Sequence, residues 1–381
     1  MGTRIEAVST ARPRWFLRRH ALGLEDAAAR ACLERGGRAA QDIDLLINVG
    51  VYRENNTVEP ALASLIQEDI GANPGAPHVD GHGTFSFDVN NGGAGALSAA
   101  YLIDGFVSAG TAHVGLVVAG DADPCPRTSR EFPFLPAGGA ILLGHTDDEE
   151  GFHRFEFRTF PALSKVFEAC VEWEPERGCN GVHVREDPAL REACVESAKE
   201  TTIGFLDAVR LKAGEVDVLV TSQYPSGFVE RLAREIGVRA DRIPAVQPDL
   251  QRAHTAGPIA ALESAVGSGS FARARNVLFV AAAPGLTVAV ALYKRASGRG
   301  VVVVRSAAGS WGSLWTDSCP DSIIEASRSP SMSCSVRMAA RLMASSCLRP
   351  LRRSPSARQQ RRRTRPSGSG QAPPGRGAPR R

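Results

Sequence analysis

The stretch from Phe85 to Gly110 places a strand, a glycine turn and a helix in immediate succession. The apolar run that starts at Phe85 predicts a strand ending at Val89, and Asn90-Asn91-Gly92-Gly93 predicts a turn. The following residues predict a helix, because the apolar ones recur at helical spacing: Leu97, Tyr101, Leu102, Phe106 and Val107. The free N–H groups and positive dipole end of such a helix favour a thiolate, an oxyanion or a phosphate. This turn is therefore the first candidate for a functional site.

Strand and helix patterns alternate along the chain, and their order recurs. Continuous apolar runs of the kind found in strands buried on both faces lie at 42–51, 113–120 and 138–144. Similar runs return at 215–221, 276–283 and 286–293, with helix patterns at 187–213, 226–236 and 253–265. Two halves that share one order of elements predict a duplicated α/β unit.

The glycine turn resembles the nucleophile turn of the type III 3-oxoacyl-acyl-carrier-protein synthases, a family of the thiolase superfamily. In that family an Asp-Val pair ends the strand, and the nucleophilic Cys follows five residues after the Asp. This frame is matched without a gap by Asp88, Val89, Gly95, Asp104 and Gly110. The Cys position is occupied by Gly93, so the resemblance implies that the nucleophile is absent.

The resemblance covers about residues 1–295 and implies the thiolase fold, an α/β fold with a duplicated five-layered α-β-α-β-α architecture. We predict an N-terminal half over 1–165 and a C-terminal half over 166–295. Residues 296–381 are rich in Arg, Ser and Pro and predict a disordered tail. Two interpretations of the tail stay open: a basic arm, or sequence that is not native coding sequence, as a GC-rich region read in a wrong frame would give. We favour the second.

The charge of the chain is divided unevenly between the predicted fold and the tail. From Ala296 onward there are sixteen Arg and three acidic residues, a charge of +13, whereas the whole chain carries +4. Residues 1–295 therefore carry −9, which would repel phosphates and disfavours nucleic-acid binding by the fold. No run of about 18 apolar residues predicts a membrane span. The N-terminus has no apolar signal core, so we expect a cytoplasmic protein.

The resemblance also implies positions for the other catalytic groups of the family. The family's His maps to Ser222 in the segment Ser222-Gln223-Tyr224-Pro225, so this group is also replaced. The family's Asn maps to His254, a substitution that related elongating synthases carry. Gly285, in the last glycine loop, would supply the second N–H of the oxyanion hole, beside that of Gly93.

Two other nucleophiles remain open as alternatives to the missing Cys. Ser222 and His254 replace residues that stand side by side in the family, so they would form a Ser–His pair if they lie within hydrogen-bond reach. The sequence shows no acid that would orient His254. Cys125 lies in a loop after the strand at 113–120 and could approach the site. We favour pocket-lining roles for Ser222 and His254 over a nucleophilic pair, and for Cys125 we favour a loop cysteine with no role at the site.

These positions imply a protein that handles acyl thioesters of acyl carrier protein or coenzyme A in fatty-acid or polyketide-type metabolism. We expect acyl transfer or decarboxylation without condensation. The alternatives are a non-catalytic partner of an active ketosynthase and a Ser222–His254 acyltransferase. The resemblance implies a homodimer or a heterodimer with a ketosynthase. We expect no cofactor, and the eight Cys residues lack metal-binding spacing, so we expect no metal.

Overall fold

A computed structural model describes residues 2–14, 20–75, 83–125, 132–176, 178–296, 301–305 and 311–315. Most of the predicted tail lies outside these ranges. The described part of it forms two paired strands, and the extent of the tail remains a prediction. Within the described ranges, no helix has the length and apolar character needed to cross a bilayer.

Thirteen strands are described, and nine of them form two larger sheets. In chain order they are β1 Gly2–Ala11, β2 Leu45–Asn48, β3 Phe85–Asp88, β4 Val114–Asp121, β5 Ala137–Thr146, β6 Gly151–Thr159, β7 Phe167–Glu174, β8 Cys179–Glu186, β9 Val218–Thr221, β10 Asn276–Ala283, β11 Thr287–Lys294, β12 Val301–Arg305 and β13 Trp311–Trp315. The first sheet has the order β1-β5-β4-β2-β3, and the second has the order β6-β11-β10-β9. The pairs β7–β8 and β12–β13 are separate two-stranded ribbons.

The two large sheets repeat one topology. In each sheet the two longest inner strands pair antiparallel, β4 with β5 and β10 with β11, and a shorter strand adds in parallel, β2 or β9. The second sheet has no counterpart of the edge strand β3 in the described chain. The segment at 243–249 contains Pro244 and Pro248, which have no N–H to donate to a ladder. By strand pairing, the second repeat begins at β6. The domain boundary predicted at residue 165 remains a prediction.

The helices and sheets stack in five layers, which confirms the predicted thiolase fold. The helices are α1 Ala21–Gly36, α2 Leu62–Ile70, α3 Gly95–Ser108, α4 Leu190–Val209, α5 Phe228–Ile236, α6 Gly257–Gly267 and α7 Ser270–Arg273. The apolar residues of α3 and α6 share one core with the inner faces of both sheets. On the outer faces, α1 and α2 pack on the first sheet, and α4 and α5 pack on the second.

Most of the predicted elements are present with small shifts at their ends. The helix predicted at 187–213 is α4, and the helix predicted at 253–265 is α6, which starts only at Gly257. His254 therefore lies in the turn before α6, as Gly93 lies in the 3-10 turn Gly92–Ala94 before α3. The duplicated fold thus brings two helix starts to the space between its sheets.

Candidate active site

The glycine turn packs so closely against the end of β10 that Gly93 has no room for a side chain. A Cβ on Gly93 would lie 2.8 Å from the carbonyl oxygen of Ala282, closer than real Cβ atoms approach. Gly92 has φ +46°, a left-handed conformation that favours glycine. The backbone of this turn therefore requires glycine at both positions.

His254 lies directly in front of this turn. A Cβ on Gly92 would lie 3.4 Å from Nε2 of His254. On the other side of the ring, Nδ1 lies 3.5 Å from Oδ1 of Asp121, an ion-pair distance if the imidazole is protonated. The side chain of His254 is only 5% exposed. The imidazole therefore stands between a buried carboxylate and the glycine turn.

Asp121, the last residue of β4, is held in place by backbone and side-chain donors. Its Oδ1 accepts the N–H groups of Val51 and Tyr52, at 3.1 and 2.9 Å. Its Oδ2 accepts the N–H of Thr255 at 2.9 Å and also the Thr255 hydroxyl. Burial raises the pKa of Asp121, but the nearby His254 and these donors outweigh burial and hold the pKa below its usual value. Asp121 is therefore an acid beside His254 that the sequence did not reveal.

Aromatic side chains enclose the ring of His254. The ring of Phe134 is tilted by 30° from it, with 4.2 Å between the centroids, and the centroid of the Tyr52 ring lies at 5.3 Å. Tyr224 packs edge-on against Phe134 at 4.8 Å. This apolar wall lowers the local dielectric, which strengthens the interaction between His254 and Asp121.

Ser222, which follows β9, is buried beside the turn but is not paired with His254. Its Cβ lies 3.5 Å from the position that a Cβ on Gly93 would take. Its hydroxyl oxygen accepts the N–H of Ala282 at 3.1 Å. Within the described ranges no hydrogen bond joins Ser222 to His254, so this arrangement does not provide the activated Ser–His pair.

Gly285, the remaining predicted site residue, lies in the exposed turn between β10 and β11. Its φ of +109° is a conformation that few residues other than glycine adopt. Its N–H donates to no other residue that the structure describes, so this group is available to a ligand oxygen. Its role in an oxyanion hole remains a prediction.

Three comparisons with known proteins agree with this architecture. The family described as 3-Oxoacyl-[acyl-carrier-protein (ACP)] synthase III C terminal matches residues 206–295. A beta-ketoacyl-[acyl-carrier-protein] synthase III of Psychromonas ingrahamii is 26% identical over 279 residues, which cover 70% of this chain and 82% of that protein. The chain is similar to 3-oxoacyl-acyl-carrier-protein synthase III proteins, and we call it synthase III-like below.

Solved structures show the same fold for this synthase III-like protein. The 3-oxoacyl-(acyl carrier protein) synthase III of Pseudomonas aeruginosa superposes with a TM-score of 0.66 at 18% identity, over 77% of this chain and 98% of the other. A variant of Xanthomonas campestris OleA, solved with bound lauric acid and lauroyl-CoA, gives a TM-score of 0.65 at 14% identity, over 77% and 99% of the two chains.

Asp88, part of the turn motif that suggested the family, has a structural role here. Its carboxylate accepts the N–H groups of Leu62 and Ala63 at the start of α2 and forms an ion pair with Arg53 at 2.9 Å. These bonds tie the start of α2 to the end of β3. In this synthase III-like protein the residue therefore fixes the start of α2 against β3, the strand that leads into the glycine turn.

Glu25 is a second buried acid that the sequence did not reveal. It lies on α1, is fully buried, and packs against the backbones of Gly50 and Gly120. Neither of its carboxyl oxygens hydrogen-bonds to a described residue. Burial, with a smaller contribution from the charge of Asp121, raises the pKa of Glu25 well above its usual value. The synthase III-like site is therefore backed by two buried acids, Glu25 with a raised pKa and Asp121 with a lowered pKa.

No group of His, Cys, Asp and Glu able to hold a metal occurs in the part of the chain that the structure describes. Cys125 lies just before residues 126–131, which fall outside the described ranges, and its N–H donates to Asp123 at 3.0 Å. A role for Cys125 at the glycine turn remains a prediction.

Proposed function

We propose that this synthase III-like protein binds an acyl thioester of coenzyme A or acyl carrier protein, with the thioester group beside the glycine turn and His254. The relatives are named for acyl-carrier-protein chemistry, and OleA was solved with lauroyl-CoA. The apolar wall around His254 is suited to an acyl chain, and the N–H of Gly285 to a carbonyl oxygen. Fatty-acid or polyketide-type metabolism is the expected setting.

The protein would not carry out the condensation of its relatives. Condensation through an acyl-enzyme stores the acyl group on a nucleophilic side chain between two half-reactions. Gly93 has no side chain, and a Cβ there would meet the backbone of Ala282. The protein would therefore use acyl thioesters in acyl transfer or decarboxylation.

One observation carries this proposal, the placement of His254 between Asp121 and the glycine turn. The Asp121 carboxylate lies beside Nδ1, so Nε2 is the ring nitrogen positioned to exchange a proton with a group at the turn. Proton transfer by a positioned imidazole contributes about 10²- to 10⁴-fold to a rate.

The second candidate function is that of a non-catalytic partner of an active ketosynthase. The edge strand β3 favours it, because Phe85 on that strand is 58% exposed and the edge has no neighbour in the described chain. An isologous pairing of β3 across a two-fold axis would cover this edge. Light scattering at micromolar concentration would show a dimer if the strand pairs in this way, and a monomer would count against it.

Intact-mass and product analysis test the proposed function. The protein is incubated with lauroyl-CoA, with malonyl-CoA and with both, and compared with His254→Ala. We expect saturable binding, no acyl adduct at residue 93, no condensed product, and turnover that His254→Ala reduces about 10²- to 10⁴-fold. A condensed product would overturn the proposal. Binding without any turnover would favour the partner role instead.

A further inference from the structure

We propose that the outer edge of β7 is a docking site for an extended segment of a partner protein, in which apolar residues alternate with Lys or Arg. The segment would add to the ribbon β7–β8 as a third strand. This inference is independent of the proposed function, because it uses no group of the candidate active site and no bound thioester.

The strand β7 stands on the outside of its ribbon. The consecutive residues Ala169 to Trp173 are all exposed, so both faces of the strand meet solvent. On β8 the residues Gly181 and Val182 are buried, so β8 is the strand that contacts the rest of the fold. Among the described strands β7 pairs only with β8, so its outer edge has no neighbour there. About half of its residues direct their N–H and C=O groups to that edge, as in any antiparallel edge strand.

One face of the ribbon is apolar and continues from the core into solvent. Residues directly opposite each other share a face, so the register places Val171 with Val182 and Trp173 with Asn180. Val182 is buried, whereas Val171 is 52% and Trp173 is 60% exposed. Exposed apolar side chains on a strand with a free edge are a template for pairing with another chain, which would cover them.

The opposite face of β7 carries an excess of negative charge. Glu168 on this face forms an ion pair with Arg185. Glu172 and Glu174 share one neighbour, His183, whose Nε2 lies 4.0 and 3.0 Å from their carboxylates. Two carboxylates thus have a single imidazole between them. Lys or Arg on the same face of an added strand would pair with these glutamates, because opposite charges on neighbouring strands attract.

The same charges disfavour a second copy of this chain as the occupant. If two β7 strands pair antiparallel about a two-fold axis at Cys170, Glu168 lies opposite Glu172 of the second copy. An axis at Val171 sets Glu168 opposite Glu174, and an axis at Glu172 sets that residue opposite itself. Like charges directly opposite each other destabilise a sheet, so a basic strand fits this edge better than a copy of β7.

The experiment titrates the full-length protein with an eight-residue blocked peptide of alternating Lys and Val, and measures binding by calorimetry. One control peptide has Glu in place of Lys, and a second has four Lys followed by four Val. We expect saturable binding of one alternating peptide per protein and at least about tenfold weaker binding of both controls, because only the alternating basic peptide matches both faces of β7. Equal binding of the second control would mean general attraction to an acidic protein and would overturn the proposal.

Two pairs of variants locate the binding on β7. Glu172→Lys should weaken binding of the alternating peptide at least about tenfold. Glu34→Lys, at an exposed position on α1, changes the net charge equally and should bind as the wild type does. Trp173→Ala should also weaken binding about tenfold, whereas Tyr101→Ala, which removes a 52% exposed aromatic side chain from α3, should not. Equal effects within either pair would contradict docking at β7.

Backbone methylation of the peptide tests strand pairing itself. The alternating peptide N-methylated at every residue keeps its side chains and charge but has no N–H to donate to an edge strand. We expect this peptide not to bind. Binding equal to that of the unmethylated peptide would overturn the addition of a third strand.

Two other occupants of β7 would be detected with Trp173→Ala. A dimer in light scattering that this variant abolishes would mean that a second copy covers β7. Sedimentation with vesicles of phosphatidylcholine that this variant abolishes would mean that a lipid surface does. Either result would overturn the proposal of a basic partner strand.

Discussion

The two repeats of the fold meet twice, and the two meeting points differ in chemistry. At the polar junction, defined as Asp121, His254 and Thr255, the end of β4 in the first repeat meets the turn before α6 in the second. At the small-residue junction, defined as Ala282, Ala283, Gly92 and Gly93, the end of β10 in the second repeat meets the turn before α3 in the first. The topology is the same, but one junction holds a buried carboxylate beside an imidazole and the other has almost no side chains.

This difference shows that equivalent places in the two repeats of a duplicated fold can carry different side chains. The ends of β4 and β10 and the turns before α3 and α6 are equivalent places, so the fold alone does not decide which one carries a reactive group. Here the polar junction holds the imidazole of His254, and the small-residue junction brings the glycine turn close to Nε2 of that ring. The candidate site therefore needs both repeats, because Asp121 belongs to the first and His254 to the second.

Breaking the polar junction should give the largest loss of stability. Asp121→Ala removes the partner of His254 and leaves the N–H groups of Val51, Tyr52 and Thr255 buried without an acceptor. We expect a loss of about 3–5 kcal/mol in the free energy of unfolding, measured by urea denaturation. The control is Asp249→Ala, whose ion pair with Arg12 is exposed and should contribute less than about 1 kcal/mol. Equal losses in the free energy of unfolding would show that the polar junction contributes no more stability than an exposed ion pair.

Filling the small-residue junction should cost less. Gly93→Ala places a Cβ 2.8 Å from the Ala282 carbonyl oxygen, so the turn or β10 must shift, at a cost of about 1–3 kcal/mol. Gly105→Ala, within α3, is the matched control, because its Cβ has nothing within 4 Å and alanine is the better helix former by about 1 kcal/mol. The two variants should therefore change the unfolding midpoint in opposite directions. A stable Gly93→Ala would mean that this turn can still accept a side chain, including the Cys of its relatives.

The pH dependence of stability should sharpen the contrast between the two buried acids near the polar junction. The pKa of Glu25 is raised in the fold, so its contribution is fully favourable below the unfolded value near 4.5 and is lost as pH rises above it. Glu25→Gln stays neutral and should gain stability relative to the wild type as the pH rises from about 5 to about 8. The control is Glu34→Gln, at an exposed position on the same helix. Its free energy of unfolding should change with pH as that of the wild type does. A Glu25→Gln curve parallel to the wild type would contradict the raised pKa.

Asp121 should affect the pH dependence of stability in the opposite direction to Glu25. Because its pKa is lowered in the fold, it stabilises the protein above the unfolded value, and this contribution is lost as pH falls through the folded value. The difference in unfolding free energy between the wild type and Asp121→Asn should therefore shrink as the pH is lowered below about 4. A difference that grows on acidification would contradict the charged state of Asp121.

The sequence predicted the layers of this fold and part of its site. Continuous apolar runs predict buried strands, and β4 and β10 were predicted in this way. The turn at Gly92-Gly93 was visible because a strand, two glycines and a helix follow one another. The ribbon β7–β8 was missed, although Phe167, Ala169, Val171 and Trp173 alternate with other residues at the period of a strand.

The partners of His254 could not be read from the sequence. Asp121 and Thr255 are 134 residues apart, and no local pattern separates Asp121 from Asp123 in the same loop. Glu25 lies next to Asp26 in an Ala-rich helix, and acidic residues on helices are mostly exposed. It is buried only because Gly50 and Gly120, at the ends of two neighbouring strands, leave space for its side chain. Such burial depends on packing between distant segments.

The central claim is that an acyl thioester lies against Nε2 of His254 at the glycine turn. The most direct measurement is the ¹⁵N chemical shift of the histidine ring nitrogens during titration with the thioether analogue of lauroyl-CoA, with His254→Gln to assign the signals. The account predicts that Nε2 of His254 shifts with the binding isotherm, whereas exposed His153 on β6 stays unchanged. Saturating binding that leaves Nε2 of His254 unshifted would contradict it.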